Sequence, residues 1–427
     1  MTSTISPVRG MNDVLPEDEL LWERLETAAA ELFKAYDYHR IRIPVLERTE
    51  LFRRSIGEAT DIVEKEMYTF EDRGGDSLTL RPEATAGIVR ACLTHGLLHN
   101  RQQKLWCSGP MFRREKPQKG RYRQFHQLSV EALGFDEPEI DAELILLSAR
   151  LWRALGVTHA ALELNSIGTP KSRAGYRDVL VEYFSAHKDR LDADSLRRLD
   201  RNPLRILDSK NPEMAELIAG APVITEYLDE GSREHFERLK TLLTDAGIPF
   251  TVNPRLVRGL DYYTRTVFEW VTDRLGAQSA ICAGGRYDGL VAQLGGRDTP
   301  AVGWALGVER VVELVRIEAA GDAEMRVPDV FVVSAGDEAR RVGFAAAETL
   351  RDRVPGISVS IGSPSAGFKA QMRRADKSGA RFALIVGEDE VAAGKLGLKP
   401  LRTDEPQLSL SLDEIVRQLS SALNRRE

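Results

Sequence analysis

Two strand-like segments joined by a short polar loop predict an antiparallel hairpin in this chain. Residues 104–115 and 123–135 have the composition of strands, and the loop 116–122 between them is polar and contains glycine. A short loop of this kind joins antiparallel neighbours, whereas parallel strands need a long crossover. The hairpin therefore predicts a mostly antiparallel sheet.

The second strand of the hairpin has one apolar and one polar face, because side chains alternate across a strand. The polar face carries an aromatic ring, an amide, a hydroxyl and a carboxylate, namely Phe125, Gln127, Ser129 and Glu131. Such a face is normally exposed to solvent. Arg113, Arg121 and Arg123 surround the turn and support a second interpretation, in which planar cationic side chains beside this face bind a polyphosphate.

Periodicity elsewhere indicates regions of different architecture. Residues 17–36 form an amphipathic helix, and the segment 39–46 resembles a strand that Pro44 confines to an edge or an interface. Short charged helices from 171 to about 228 interrupt the strand pattern like an insertion. From residue 328 onward, strands and helices alternate, which predicts a small parallel α/β module.

The predicted fold class is therefore α+β, with an antiparallel-sheet domain, a helical insertion and a C-terminal α/β domain. A chain of 427 residues is too long for one core, which agrees with two or three domains. The predicted boundaries are 1–168 and 232–318 for the discontinuous first domain, 169–231 for the insertion, 319–327 for a linker and 328–427 for the last domain.

Composition and charge exclude several classes of protein. The formal net charge of -6 argues against a protein that coats nucleic acid, although a local basic patch can still bind RNA. No stretch reaches the length of a membrane span, and residues 1–20 lack the apolar core of a signal peptide. The three cysteines are far apart and form no CxxC pair, so we expect a reduced, cytoplasmic setting and no protein-bound zinc.

The usual phosphate-binding loops are missing from the sequence. It contains neither GxxxxGK[ST] nor a GxGxxG that leads from a strand into a helix. A nucleotide would therefore be held by arginines on an antiparallel sheet. Arg310 fits this hypothesis because it lies on a predicted helix, opposite a stripe of valines that follows Gly307. From the residues alone, a solvated helix face is an equal alternative.

A polar segment precedes a predicted buried strand in LVRGLDYYTRTVFEW, residues 256–270. Residues 264–270 are rich in β-branched and aromatic side chains, as a strand should be. A packed sheet would gain little from the polar groups between Arg258 and Tyr263. We therefore expect these residues to bind something.

These stretches together resemble one family. The Pro-containing strand, then MFRRE with FHQLSVEALGF, and then AVGWALGVER resemble motifs 1, 2 and 3 of class II aminoacyl-tRNA synthetases. LVRGLDYYTRTVFEW and CAGGRYDGL resemble the two signatures of histidyl-tRNA synthetases, and the last domain is similar to the anticodon-binding domain of the histidine, proline, threonine and glycine branch. The resemblance covers nearly the whole chain. It implies a class II catalytic domain that activates L-histidine with ATP to histidyl-adenylate, releases pyrophosphate and transfers the histidyl group to the 3′ end of tRNA(His).

The resemblance also implies which residues bind ATP. Arg113 would contact the α-phosphate, Glu115 the adenine amino group and Phe125 the adenine ring, while Arg121 and Arg310 would reach toward the γ-phosphate. The residues that it implies for catalysis are Arg113, Arg258 and Arg310. Magnesium is expected with ATP.

Selection of histidine is implied in the same way. Glu131 would accept from one imidazole nitrogen and Tyr263 would address the other, so that apolar isosteres are rejected. The full set implied for histidine is Glu83, Thr85, Gln127, Glu131, Arg258, Tyr262, Tyr263 and Tyr287. From the residues alone, Glu83 could be an acid favoured by a helix dipole, and GGRYDGL could be an ordinary turn.

The partners implied are tRNA(His), ATP, L-histidine and a second copy of the chain. No association with a membrane is expected. The residues assigned to tRNA are Lys116, Gln118, Lys119, Lys369, Arg373 and Arg374. For the last three, a solvated helix face is the alternative.

Two other functions agree less well with the sequence. A synthetase paralogue that regulates ATP phosphoribosyltransferase would typically lack the arginines and the anticodon module, and both are present here. A prolyl, threonyl or glycyl enzyme of the same branch gives no reason for the sequence RGLDYY.

Overall fold

The chain divides into two compact units, Met1–Ala323 and Glu324–Glu427. The computed structural model describes residues 4–57, 60–209, 211–276, 279–318, 327–363 and 366–423. The predicted linker, 319–327, lies outside the described residues except for Val327. Within the ranges given, no helix is both long enough and apolar enough to cross a membrane.

The helices and strands have the following bounds. The helices are α1 (Pro16–Ala35), α2 (Thr49–Ile56), α3 (Thr85–Thr94), α4 (Pro138–Leu155), α5 (Pro170–Ala186), α6 (Ala193–Arg201), α7 (Ala215–Ala219), α8 (Glu230–Asp245), α9 (Leu290–Gln293), α10 (Val308–Glu318), α11 (Asp337–Arg353), α12 (Phe368–Lys377), α13 (Glu388–Ala393) and α14 (Leu412–Leu423). The strands are β1 (His39–Arg40), β2 (Leu46–Arg48), β3 (Tyr68–Glu71), β4 (Ser77–Leu80), β5 (Gln103–Phe112), β6 (Gln124–Leu133), β7 (Ala161–Ser166), β8 (Thr251–Val252), β9 (Thr264–Val271), β10 (Ala280–Arg286), β11 (Ala301–Gly307), β12 (Val330–Ser334), β13 (Val359–Ile361), β14 (Phe382–Val386), β15 (Leu396–Pro400) and β16 (Leu408–Leu410). Short single-turn segments lie at 62–66, 188–190, 203–206, 212–214 and 224–227.

The larger unit is built on an eight-stranded sheet in the order β1-β5-β6-β11-β10-β9-β7-β8. Its inner neighbours are antiparallel, and only the edge pairs β1–β5 and β7–β8 are parallel. The β5–β6 hairpin keeps one register from Gln103 opposite Leu133 to Phe112 opposite Gln124. The predicted hairpin and the predominantly antiparallel sheet are confirmed.

The two faces of β6 are both covered. Leu128, Val130 and Ala132 join the main apolar core with side chains of α1, α4, α8 and α10. On the opposite face, Ser129 and Glu131 are 0% and 1% exposed. The interpretation of this polar face as a solvent-exposed surface is therefore wrong, because α3 and the segment after β10 supply side chains that cover it.

The predicted strand 39–46 is only partly correct. β1 does lie at the edge of the large sheet, but it ends at Arg40, and the chain joins a separate three-stranded sheet, β2-β4-β3, at Leu46. Between them, the Arg81 guanidinium donates to the carbonyl oxygens of Ile43, at 2.9 Å, and Pro44, at 3.3 Å. These carbonyls are satisfied by a side chain instead of a strand ladder, and Pro44 has no N–H to donate.

The helical segment predicted after β7 is present as α5, α6, α7 and several single turns. Helix α8 follows this segment, in residues for which the sequence predicted neither a helix nor a strand. Phe236, Leu239 and Leu243 of α8 join the main core, whereas Tyr176 and Leu180 of α5 belong to a second core on the other side of the large sheet. The domain boundaries 169–231 stay a prediction.

The smaller unit has a mixed sheet in the order β13-β12-β14-β15-β16. The strands β13, β12 and β14 are parallel, and the helix α12 lies in the crossover between β13 and β14. The predicted α/β module is present, but its sheet is not parallel throughout as expected, because β15 and β16 add antiparallel strands. β15 reads LGLKP, in which glycine, lysine and proline weaken the strand signal.

Candidate active site

A pocket lies over the polar face of the large sheet. It encloses about 1050 Å³ of empty space, its open mouth included. Its lining includes every residue assigned from the sequence to catalysis, ATP or histidine, namely Glu83, Thr85, Arg113, Glu115, Arg121, Phe125, Gln127, Glu131, Arg258, Tyr262, Tyr263, Tyr287 and Arg310.

The Glu131 carboxyl group lies at the buried end of this pocket. The Thr85 hydroxyl donates to its Oε1 at 2.6 Å, and the Tyr287 hydroxyl donates to its Oε2 at 2.5 Å. Burial raises the pKa of Glu131 to about 8, although both hydrogen bonds favour the ionised form. Burial therefore shifts this carboxyl toward its protonated form in the ligand-free pocket.

Two polar side chains near Glu131 differ in how well they are satisfied. The buried Glu83 carboxylate accepts from the backbone N–H groups of Thr85, at 2.6 Å, and Ala86, at 3.0 Å, at the start of α3. Glu83 thus contacts the N-terminus of α3, as the alternative of an acid favoured by the helix dipole expected, and it also lines the pocket. Gln127 Oε1 is buried and accepts no hydrogen bond from the described residues. A buried acceptor of this kind is available to a donor that binds in the pocket.

Aromatic rings form one wall around the carboxyl group. The ring centroids of Tyr262 and Tyr263 are 4.7 Å apart, and those of Tyr262 and Tyr287 are 5.6 Å apart. Burial raises the pKa of each of the three phenols, so their hydroxyls stay protonated and can donate.

Arginines line the opposite part of the pocket, beside the hairpin turn. Arg113 Nε donates to the Pro82 carbonyl oxygen at 2.8 Å, and its guanidinium lies 5.4 Å from the centre of the Phe125 ring. Arg121 Nη1 lies 3.3 Å from Glu115 Oε2. The carboxylate of Glu115 thus faces two guanidiniums, with Arg113 at 3.9 Å.

Arg310 reaches the pocket from the first turn of α10. Its residue surface is 5% exposed, so the solvated-face alternative is wrong. Arg310 Nε donates to the Ala280 carbonyl oxygen at 2.9 Å. Burial, together with the charge of Arg121, lowers the pKa of Arg310 to about 10, so the guanidinium remains charged at neutral pH.

Arg258 is paired with a residue that was missed in the sequence. It donates to Glu269 on β9, and its guanidinium lies 5.9 Å from the centre of the Tyr263 ring. Glu269 is a carboxylate between the apolar residues Phe268 and Trp270 of β9, and a charge in such a place signals a buried pair. Glu309 was also missed; it lines the pocket and accepts from the backbone N–H of His126 at 2.9 Å.

The residues assigned to tRNA lie outside the pocket lining. Lys119 pairs with Glu313 at 2.6 Å, and Gln118 forms a backbone bridge with Arg121. Lys369, Arg373 and Arg374 lie on α12 of the smaller unit with exposed side chains. The described residues include no group of three or more His, Cys, Asp or Glu side chains that could hold a metal ion.

Comparisons with known proteins agree with one another. The histidyl-tRNA synthetase family matches residues 10–311, and the anticodon binding domain family matches residues 329–422. The chain is 37% identical to the apo histidyl-tRNA synthetase of S. aureus, with a TM-score of 0.81 over 98% of this chain and 100% of that one.

Two more distant structures share the fold alone. The histidyl-tRNA synthetase of Nostoc sp. is 21% identical, with a TM-score of 0.70, and the match covers 98% of this chain and 100% of that one. A protein of Bacillus halodurans described as an ATP phosphoribosyltransferase regulatory subunit/histidyl-tRNA synthetase is also 21% identical, with a TM-score of 0.65 over 91% of this chain and 99% of that one.

Proposed function

The chain belongs to the histidyl-tRNA synthetase family, and we propose how its pocket carries out the reaction. It is a histidine–tRNA ligase, which activates L-histidine with ATP to histidyl-adenylate, releases pyrophosphate and then transfers the histidyl group to tRNA(His). One observation supports the assignment of this chemistry to the pocket. A buried carboxyl with fixed hydrogen-bond donors and a group of arginines line the same cavity, as a histidine site beside a triphosphate site requires.

We propose that histidine binds at the Glu131 end. Glu131 accepts the imidazole N–H, Tyr263 donates to the other ring nitrogen, and Tyr287 and Thr85 keep the carboxyl group oriented. The α-ammonium group lies against Glu83, Thr85 and Gln127. The unsatisfied Gln127 Oε1 supports this placement, because a buried acceptor without a partner costs stability until a donor binds.

We propose that ATP occupies the arginine end. Phe125 stacks on the adenine, Glu115 accepts from its amino group, and Arg310 and Arg121 contact the phosphates. The lowered pKa of Arg310, caused first by burial and then by the charge of Arg121, supports this arrangement, since two guanidiniums that repel each other favour a bound anion.

In the first step, a histidine carboxylate oxygen attacks the α-phosphorus and pyrophosphate leaves. Positioning two reactants in a near-attack geometry can lower a barrier of this kind by about 7 to 11 kcal/mol. Arg113 and Arg258 approach the α-phosphate from two sides and neutralise the charge that develops there. Glu269 orients Arg258 through their ion pair. In the second step, a ribose hydroxyl at the 3′ end of tRNA attacks the histidyl carbonyl carbon, and AMP leaves.

Magnesium would enter with ATP. Mg²⁺ keeps several waters and usually binds through substrate phosphates with few protein ligands. The phosphates of ATP and waters would supply most of its ligands, and we assign no side chain of this chain to the ion.

The remaining assignments concern the domains, the oligomeric state and the cellular compartment of the protein. We propose that the smaller unit reads the anticodon, that the domain boundaries follow the predicted ones, and that the chain forms a homodimer. Val45 and Leu46, which follow Pro44, have exposed apolar side chains, and these support a subunit contact at this place. The three buried, free cysteines support a reducing cytoplasm.

ATP–pyrophosphate exchange with a panel of amino acids tests this function. We expect exchange with histidine alone, and we expect Arg258→Ala to reduce its kcat about 100-fold while histidine binding changes little. Exchange stimulated by proline, threonine or glycine would contradict the assigned pocket. If no amino acid stimulates exchange in protein that is shown to be folded by a cooperative thermal transition, the result would support the function of a regulatory paralogue.

A further inference from the structure

The loop that carries Arg258 and Tyr263 has little support from its own backbone. Outside the strand ladders, the one backbone–backbone hydrogen bond of residues 257–263 in the described part of the chain runs from Asp261 N to the Ile56 carbonyl oxygen, at 3.2 Å. Gly259, directly after Arg258, has no side chain that could anchor it. Glu269 holds the end of the Arg258 side chain, but another group must fix the backbone of the loop from which that side chain projects.

Side chains from the helical segment after β7 hold this loop. Arg205 Nη1 donates to the Gly259 carbonyl oxygen at 3.0 Å, and Asn202 Nδ2 donates to Asp261 Oδ1 at 2.9 Å. Arg173 on α5 donates to the Tyr263 carbonyl oxygen. The three donors contact the loop at its beginning, middle and end.

Arg205 also connects the loop to a second segment at the pocket. Its Nη2 donates to Asp61 Oδ2 at 3.3 Å. The single-turn segment that follows Asp61 ends at Glu66, whose carbonyl oxygen accepts from Arg114 N at 2.7 Å, next to Arg113. One guanidinium thus contacts the loop that carries Arg258 and the segment that borders Arg113.

Apolar packing alone does not explain this arrangement. Val257 and Tyr262 share a buried core with Tyr176 and Leu180 of α5, which holds the helical segment against the loop. Dispersion contacts are not directional, whereas hydrogen bonds restrict both distance and angle. The Arg205 bond fixes the orientation of the Gly259–Leu260 peptide group, one residue after Arg258, which packing by its neighbours does not.

We propose that Arg205 is a positioning residue for adenylate formation, with Asn202 and Arg173 in support. Its guanidinium holds the Gly259 carbonyl oxygen and thereby sets the direction of the Arg258 side chain. This inference rests on the proposed role of Arg258 at the α-phosphate. It assigns to the helical segment a part in the first step of the reaction.

The test compares Arg205→Ala with Arg201→Ala in the full-length protein. Arg201 lies four positions away on the same helical segment and pairs with Glu64 at 3.0 Å, but it makes no hydrogen bond to residues 257–263. We expect Arg205→Ala to lower kcat of histidine-dependent ATP–pyrophosphate exchange at least about tenfold, with a small change in KM for histidine. Arg201→Ala should stay within about twofold of wild type.

A double-mutant cycle with Arg258→Ala separates positioning from general destabilisation. If Arg205 acts through Arg258, Arg205→Ala adds no further loss of kcat when Arg258 is already alanine. An equal loss in both backgrounds, or an Arg205→Ala variant that behaves like Arg201→Ala, overturns the inference and leaves the role of Arg258 intact. Wild-type exchange by Arg258→Ala overturns the proposed role of Arg258 and the inference with it.

Asn202→Ala covers the case in which Arg205→Ala does not fold. It removes only the hydrogen bond to the Asp261 side chain, on an exposed part of the segment. We expect a smaller loss of kcat in the same direction, again absent in the Arg258→Ala background. Unchanged kcat in a folded Asn202→Ala protein counts against the inference.

Discussion

Gly303 lies directly opposite Glu131 in the β6–β11 ladder, and the Glu131 carboxyl group occupies the space that a side chain at 303 would need. A Cβ atom on residue 303 would come within 1.8 Å of Glu131 Oε2 and 2.6 Å of the Val130 carbonyl oxygen. The missing side chain therefore allows the carboxyl group to lie against the sheet, between its donors Thr85 and Tyr287.

Gly303→Ala should damage histidine recognition more than ATP binding. The new methyl group displaces the Glu131 carboxyl group from its two donors, and we expect KM for histidine to rise at least about tenfold. The measurement is a histidine titration of ATP–pyrophosphate exchange. Gly307→Ala on the same strand is the control, because its Cβ would meet only the Arg310 side chain, at 3.8 Å. Equal changes in KM for the two variants would contradict the explanation.

Glu131→Gln should change how the stability of the ligand-free protein depends on pH. Burial raises the pKa of Glu131 from 4.5 to about 8, so between these values the folded state binds more protons than the unfolded state. The contribution of Glu131 to the free energy of unfolding is therefore present below the unfolded pKa and is lost as pH rises through the folded pKa, by up to about 1.4 kcal/mol per pH unit.

Glutamine carries no proton to lose, so the melting temperature of Glu131→Gln relative to wild type should rise steadily from about pH 5 to about pH 8. Thermal melting without histidine measures it. Glu26→Gln, an exposed change on α1, is the matched control and should keep a constant difference from wild type. A constant difference for Glu131→Gln as well would mean that the carboxyl is already ionised in the free pocket.

The residues of the pocket were largely predictable because they lie in short segments with a recognisable alternation or motif. The period of two along β6 places Phe125, Gln127 and Glu131 on one face, and the resemblance to known motifs supplied the remaining residues. The pairing of Arg258 with Glu269 depends on how the loop folds back onto β9, the strand that follows it, which no local period encodes. The close contact between Gly303 and Glu131 depends on the register of β11 on β6 and was not predictable for the same reason.

The errors in the predicted fold have a similar origin. The strand pattern of 39–46 is interrupted because a distant guanidinium, that of Arg81, takes the carbonyls of Ile43 and Pro44. β15 and β16 are held by pairing with β14 and with each other, although their own sequences are weak strand formers. In both cases long-range contacts override local propensity.

Gly10→Ala should weaken ATP binding through the hairpin loop. The Gly10 carbonyl oxygen accepts from the backbone N–H groups of Arg123, at 2.6 Å, and Gln124, at 3.3 Å. Its φ is +85°, and a Cβ would lie 2.9 Å from Pro117 Cγ and 3.0 Å from Arg123 Cγ. The clash should displace the loop that carries Arg121 and raise KM for ATP about tenfold, with a smaller effect on KM for histidine.

Gly75→Ala controls for backbone strain in this comparison. Gly75 has nearly the same φ, +84°, but no atom lies within 4 Å of its would-be Cβ. Both variants place alanine in the left-handed region, at a cost of about 1 to 2 kcal/mol. If the two variants have the same KM for ATP, the contact of Gly10 with the hairpin does not position the loop.

Charge reversal on α12 should impair charging of tRNA without affecting activation of histidine. Lys369, Arg373 and Arg374 are exposed, and no ion pair within the described part of the chain occupies them. Changing all three to glutamate should lower kcat/KM for tRNA charging at least about tenfold and make it less sensitive to salt, because fewer phosphate contacts remain. ATP–pyrophosphate exchange should stay within about twofold of wild type.

Exposure alone does not distinguish a tRNA contact from a solvated helix face, so the control must carry the same charge. Arg341, Lys399 and Arg417 are exposed residues of the same unit on other elements, and changing them to glutamate alters the net charge equally. A long-range field would respond to both triple variants alike. Because direct contacts are local, only the α12 variant should lose charging. An equal loss in both would assign the effect to net charge and remove α12 from the tRNA interface.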